Sequence, residues 1–382
     1  MDTVALYVHI PFCERKCTYC TFNSYTGLHH LHQDYVDALR AEIARTGREL
    51  GRVGASSLYL GGGTPTLLSA GLLGQVLDAC EEHLGLCEGA EITSEANPGT
   101  LNAGYLSNLK RLGVNRLSLG VQTFDDGLLE VLGRVHNAEE AIETYRLARL
   151  AGLENINLDL IYGLPKQDLP GWKADLSKAT NLRPDHLSLY CLSLHEGTLL
   201  AGLISAGKLP IPDPDLAAEM YEHAEEELAR AGYVQYEISN WALSGRESRH
   251  NLTYWQNRPY FGFGAGAHSY SGTSRYHNVS SPEEYVRRVV RGETPVAGRE
   301  QIDRATEMSE TMIMGLRLCQ GVSFEDFEER FGLPLAKAYG PQIRETIELG
   351  LLDANGSGVH LTPRGRLLGN EVFERFLAPD TG

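Results

Sequence analysis

The sequence is short of long apolar runs: nothing approaches the roughly 18–20 consecutive apolar residues that a helix needs to cross a bilayer, which excludes a helical membrane span. Basic residues are outnumbered, 34 Lys and Arg against 50 Asp and Glu, for a formal net charge of −16. A field of that sign repels phosphate backbones, so nucleic acid is not an expected partner. The short basic run RRVVR at 287–291 reads as a solvated helix edge. No signal-peptide pattern precedes the apolar run ALYVHI at 5–10, and the expected location is the cytoplasm, where thiols stay reduced. Repeats of solenoid period and low-complexity tracts are missing too, which excludes a stacked array. Cysteine is sparse, seven in 382 residues. An odd number argues against a disulfide framework. Cys80, Cys87, Cys191 and Cys319 sit in apolar contexts and read as buried small hydrophobes; the other three are grouped.

What is present is an alternation. Short β-branched runs at 5–10, 57–62, 90–96, 116–122, 155–163 and 186–194 are separated by amphipathic stretches such as YVDALRAEIARTGREL and LLGQVLDACEEHL. Strand and helix in turn predict right-handed βα units and a parallel sheet. Polar or glycine-rich residues end every strand: HIPFC, GGGTP, SEANP, GVQTF, DLIYGLP and SLHEGT. A barrel gathers all its strand ends at one mouth, whereas an open sheet loads one switch point. The predicted fold is therefore α/β, a partial (βα)6 TIM-like barrel with an open side, over 1–235. An aromatic segment, 236–299, follows the Pro-rich link KLPIPDPD and a strong helix at 216–233. Residues 300–382 carry helical patterns and a hairpin signal at Asn355-Gly356, which predicts a small winged-helix-like α+β domain.

The grouped cysteines, Cys13, Cys17 and Cys20, stand in C-x3-C-x2-C spacing after the first strand. Thiolates suit zinc or an iron–sulfur cluster. Zinc needs a fourth ligand, for which His9 is the nearest candidate, although it lies within the strand rather than the loop. A four-iron cluster held by three cysteines instead keeps one iron open for a non-protein ligand. Spacing leaves both open, with the cluster the better fit.

The stretch from Tyr7 to Cys20, with GGGTP at 61–65, E-x-N-P at 95–98, LGVQ at 119–122, LGR-x-H at 132–136 and NLDLIYGLP at 157–165, resembles the radical S-adenosylmethionine (SAM) superfamily, in its coproporphyrinogen-oxidase-like branch. The resemblance spans nearly the first 200 residues and implies a 4Fe–4S cluster on Cys13, Cys17 and Cys20, with SAM on the open iron. It implies SAM contacts from Tyr7, Tyr19, Gly62, Gly63, Thr64, Glu95, Gln122, Arg134 and Asp159. Each has a chemical reason. Glycines bring bare backbone groups close to an amine and a carboxylate, Glu95 can accept from a ribose, Gln122 can bond donors and acceptors, and the Arg134 fork suits a carboxylate. Asp159 is a charge in an apolar strand that needs a partner, either cofactor hydroxyls or a neighbouring Lys or Arg. Taken singly, each also reads as a turn, a cap, a salt bridge or packing.

Two members of the branch resemble the chain, an oxygen-independent coproporphyrinogen III oxidase and a HemW-like haem chaperone. The oxidase pattern has another cysteine two positions after the third, where this chain has Phe22, and an extension ahead of the first strand. HNLTYW at 250–255 resembles the chaperones' haem motif and implies haem contacts from His250, Asn251, Tyr254 and Trp255. On a helix, His250 and Tyr254 share one face at i, i+4, as do Asn251 and Trp255. His250 is the first expected iron ligand and His268 a weaker second. The chaperone resemblance further implies acceptor haem proteins, expected to be respiratory, and leaves room for peripheral membrane contact and a homodimer.

Overall fold

The computed structural model describes residues 4–378; residues 1–3 and 379–382, which belong to the first and last expected domains, lie outside the described residues. The six expected strands form at β1 (Val4–Ile10), β2 (Ala55–Gly62), β3 (Leu86–Ala96), β4 (Arg116–Gln122), β5 (Asn155–Tyr162) and β6 (His186–Cys191). They pair in chain order, all parallel. All seven residues of β4 are buried, as expected of a strand covered on both faces. β6 stops three residues short of the expected 194, releasing Leu192–Leu194 into the loop at the mouth.

Helices α1 (His32–Leu50), α2 (Ala70–His83), α3 (Ala103–Arg111), α4 (Asp126–Leu132), α5 (Ala138–Leu150), α6 (Leu169–Leu182), α7 (Leu199–Ser205) and α8 (Pro214–Arg230) connect and follow the strands. Their starts are written locally. Ser69, Asn102, Asp125, Asn137, Asp168, Thr198 and Asp213 each cap a helix through the side-chain oxygen, which satisfies N–H groups that the first turn leaves unpaired. Leu6, Val8, Leu58, Leu60, Leu117, Leu119, Leu158 and Leu160 pack in the main core with Leu39, Ile43, Leu73 and Leu176 from the helices. Alternation then turns Tyr59, Ser118, Asn157 and Asp159 into the lumen. There Asn157 donates to Ser118 Oγ (2.7 Å) and accepts from Ser188 (3.1 Å).

Residues 236–299 are built into the same sheet. β9 (Tyr260–Phe263) lies parallel to β1 on one edge, and β10 (His268–Tyr270), β11 (Ser274–Asn278) and β12 (Val296–Gln301) extend it antiparallel. On the other edge β8 (Asn240–Ala242) and β7 (Val234–Glu237) follow β6. Glu42 of α1 fastens the first edge: its carboxylate accepts from Gly264 N (2.9 Å), Asn278 Nδ2 (2.7 Å) and Tyr285 Oη (2.6 Å). Helix α9 (Arg249–Trp255) packs against β2 and β1, and α10 (Pro282–Val290) against α1.

The C-terminal module has its own core, with Met312, Leu316, Phe327, Phe331, Ile343 and Phe376. Helices α11 (Arg304–Gly315), α12 (Phe324–Phe331) and α13 (Leu335–Glu348) surround a small antiparallel sheet in the order β13 (Val322–Ser323), β15 (Gly358–Leu361), β14 (Leu352–Ala354). The Asn355 side chain closes the hairpin by accepting from Ser357 N and Gly358 N (2.8 and 3.0 Å). The Arg366–Glu225 pair at 2.7 Å and a backbone bridge between Glu237 and Leu318 tie the module to the barrel.

Candidate cofactor site

The cysteine loop after β1 is fixed at both ends. Cys13 N donates to Tyr25 O (2.9 Å) and Tyr25 N to Pro11 O (2.7 Å), closing its base. Thr18 anchors the far side, its N–H and hydroxyl donating to Leu132 O (3.0 Å) and Val131 O (2.9 Å). Gly133 ends α4 in the left-handed region, at φ +70°, directly against Thr18.

Cys13, Cys17 and Cys20 open into one cavity of about 330 Å³. Each sulfur has a polar side chain beside it. Arg134 Nη1 donates to Cys17 Sγ at 3.2 Å, Thr64 Oγ1 to Cys13 Sγ at 3.9 Å, and Ser24 Oγ lies 3.9 Å from Cys20 Sγ. Burial pushes the Cys13 thiol up, while Thr64 and Ser24 oppose the shift. Donors to sulfur tune a thiolate-held cluster, so the chemistry of this donor set suits three-thiolate ligation, although among the described residues the thiols are not gathered closely enough to hold one metal ion. His9 does not complete a zinc site. Its Nδ1 pairs with Tyr7 Oη (2.9 Å) and its Nε2 with Asn23 O (2.8 Å), and it is not among the cavity's lining residues.

Of the residues carried over for SAM, Tyr19, Gly62, Gly63, Thr64, Glu95, Gln122, Arg134 and Asp159 line this same cavity. The glycines have a packing reason as well. A Cβ on Gly62 would lie 2.5 Å from the His9 ring, and one on Gly63 would lie 2.5 Å from Phe12 O and 3.0 Å from Cys13 Sγ. Glu95 accepts from Tyr59 Oη (2.8 Å) and Gly62 N (3.1 Å), and burial raises its carboxyl to about 7. Gln122 holds φ +70° at a register break in the β4–β5 pairing, a backbone strain typical of binding sites. Arg134 Nη2 also donates to Asn97 Oδ1 (2.6 Å) and Gly120 O (2.7 Å). Its Nε is buried with no partner. Burial disfavours the guanidinium, but Tyr19 and Cys17 outweigh that and hold its pKa above the usual value.

Asp159 hydrogen-bonds neutral partners, while the buried Arg116, the kind of cation the sequence left open, acts on it through charge without a direct contact. Ser118 donates at 3.0 Å and Asn157 at 2.8 Å, and burial raises its carboxyl. Tyr7 is the exception among the carried-over residues. Although paired in register with Tyr59, it stays below the cavity, its ring stacked on Tyr59 at 6.3 Å. Tyr59 takes the place at the wall, and Asn97 links Thr64 (2.8 Å) to Arg134. Sequence singled out neither beyond motif membership, because depth along the barrel depends on strand stagger. Of the four cysteines expected to be buried, only Cys80 is: Cys87 and Cys319 are half-buried, and Cys191 is exposed at the cavity, because β6 ends there. Its sulfur lies near Tyr162 and Gly163.

The haem motif is helical, but its residues face two ways. A buried carboxylate seats the helix: Glu91 of β3 accepts from His250 N and Arg249 N, each at 3.1 Å, which suits a helix N-terminus. His250, 1% exposed, enters the lumen. Its Nδ1 pairs with Ser57 Oγ (3.0 Å), its Nε2 with Tyr254 Oη (2.9 Å), and its ring stacks on Tyr59 at 5.0 Å. Burial drives its pKa down to about 3. Trp255 instead lines a cleft of about 680 Å³ beside the C-terminal module, under the Arg317 guanidinium at 4.3 Å, with its indole N–H buried and unpartnered. Asn251 is half-buried, and His268 stacks on the cross-strand His277 at 5.1 Å. The four motif residues are thus not brought to one cavity.

Residues 7–176 match the Radical SAM superfamily and residues 302–368 the HemN C-terminal domain. The chain is 41% identical to the heme chaperone HemW of Bacillus subtilis, over 97% of this chain and 98% of that protein. It is 35% identical to the heme chaperone HemW of Escherichia coli, over 99% of both. Among solved structures it resembles the coproporphyrinogen III oxidase HemN of Escherichia coli, a radical SAM enzyme, with TM-score 0.85 and 25% identity over 98% of this chain and 90% of that one. With three grouped thiols at the mouth of a parallel half-barrel and near full-length likeness to those chaperones, the chain belongs to the HemW family of the radical SAM superfamily.

Proposed function

We propose that this protein binds haem and hands it to acceptor haem proteins, on a scaffold that holds a 4Fe–4S cluster through Cys13, Cys17 and Cys20 and SAM in the same cavity. The cluster would offer an open iron to the amino and carboxylate groups of SAM. Arg134, Asn97 and Thr64 form one connected set of donors around the sulfurs, while Glu95, Asp159 and Gln122 present acceptors and an amide to a polar ligand. The observation that carries the chaperone reading over the oxidase one is Phe22. It stands two positions after Cys20, is 67% exposed and lines the cavity mouth, so the position supplies an apolar surface where the oxidase pattern has a thiol. The HemW relatives support haem as cargo. The acceptors, expected to be respiratory, would be reached peripherally from the cytoplasm, since no helix among the described residues is long and apolar enough to cross a membrane.

Likeness to the oxidase HemN keeps decarboxylation of coproporphyrinogen III as the competing reading. Anaerobically reconstituted protein is incubated with haem in one arm, and with coproporphyrinogen III, SAM and reductant in the other. Stoichiometric haem binding without decarboxylated porphyrin is the expected result. Formation of protoporphyrinogen IX would overturn the proposal.

A further inference from the structure

Haem asks three things of a protein surface: a nitrogen, sulfur or oxygen donor for iron, a flat apolar face for the macrocycle, and cations for two propionates. The motif histidine meets none of them as folded, because both nitrogens of His250 are engaged inside the lumen. The cleft beside Trp255 has room, yet His, Cys, Met and Tyr are all missing from its lining. The mouth of the cofactor cavity carries the complete set. His195 is exposed there, on the loop that leaves the sheet after β6, and lines the same cavity as the three cysteines. Its backbone is held in a turn by Thr198, whose hydroxyl donates to His195 O at 2.7 Å, so the imidazole stands on a fixed loop. Phe22 at 67% exposure and Tyr190 at 42% line the same cavity, with Leu194, also 42% exposed, next to His195 in sequence. These are large apolar groups left open to water, which soluble surfaces rarely gather without a ligand.

Charge adds an independent observation. In a chain of net charge −16, two cations, Arg15 and Lys16, sit exposed on the cysteine loop and line this cavity. The Lys16 ammonium donates to the Ser24 carbonyl at 3.4 Å, and a carbonyl leaves its charge uncompensated. The cavity beneath, about 330 Å³, is at the small end of the range for ligand pockets, which favours the rim for a larger planar ligand.

The geometry points to the rim of the cofactor cavity as the haem-docking site, with His195 as the iron ligand, Phe22 and Tyr190 against the macrocycle, and Arg15 and Lys16 on the propionates. This rests on the haem-binding reading above. It separates the cargo site from His250, which becomes a lumen residue that supports Tyr59 and hence Glu95 beneath the rim.

The test is a titration of cluster-reconstituted full-length protein with ferric haem, read by Soret absorbance and by electron paramagnetic resonance of the haem iron. His195→Ala loses the imidazole-ligated spectrum and weakens binding about tenfold or more, and free imidazole restores the spectrum. His250→Gln keeps the wild-type spectrum. Arg15→Gln with Lys16→Gln weakens haem but leaves the affinity for haem dimethyl ester unchanged. If wild-type protein binds haem and His195→Ala shows the same spectrum and affinity, the assignment is overturned and the haem reading stands. If wild-type protein binds no stoichiometric haem, both fall.

Discussion

Acidification provides a direct measure of how His250 is held. Its neutral ring bonds Ser57 and Tyr254, stacks on Tyr59, and faces the positive charge of Arg116, with the Glu91 carboxylate on its backbone N–H. Burial lowers its pKa from 6.5 to about 3. The unfolded chain therefore takes up a proton as pH falls below 6.5, whereas the folded chain does not until about 3. Protons bind the unfolded state preferentially across that window, so stability falls with pH inside it. Between pH 7.5 and 5.0 the loss attributable to this one group is about 2 kcal/mol, from roughly 1.5 units at 1.36 kcal/mol per unit. Other buried histidines, His186 and His136 among them, add losses of the same sign. The measurement is therefore a difference: urea denaturation of the apoprotein, followed by circular dichroism, for wild type and His250→Gln at both pH values. Replacing the ring costs stability at either pH. The gap between the two proteins should nevertheless narrow by about 2 kcal/mol on acidification. A gap that stays constant would refute the placement of His250 as a buried neutral ring.

Arg134→Gln removes the donor to Cys17 and the contacts to Asn97 and Gly120. SAM affinity measured by equilibrium dialysis should fall about tenfold or more, and the spectrum of the reduced cluster should change; unchanged values would take Arg134 out of the site. Gly63→Ala forces a Cβ to 2.5 Å from Phe12 O. Denaturation should show a loss of about 1–3 kcal/mol, together with less bound iron per chain, whereas a neutral outcome would mean that the cysteine loop yields freely. Glu42→Ala strands donors on Gly264, Asn278 and Tyr285. A loss of about 3 kcal/mol is expected, with proteolysis beginning near β9–β11 rather than in the C-terminal module.

The sequence alone determined the six strands, their parallel sheet and the three-thiol loop, because these depend on residues close together in the chain. It also determined that most of the carried-over residues would meet, since polar groups ending parallel strands share one mouth. Residues 236–299 were legible as aromatic, but their joining of both sheet edges was not, because strand pairing is a choice among partners distant in sequence. Helical spacing correctly put His250 with Tyr254 on one face. Only tertiary structure decided which face turned inward: Glu91, 159 residues away, takes the helix N-terminus and swings His250 under Tyr59. Depth was decided the same way. Tyr7 and Tyr59 are paired neighbours on one lumen face, yet only Tyr59 reaches Glu95 and the cavity wall. Side-chain direction follows from strand parity and is readable in sequence; height within a barrel follows from stagger between strands, which no local pattern encodes.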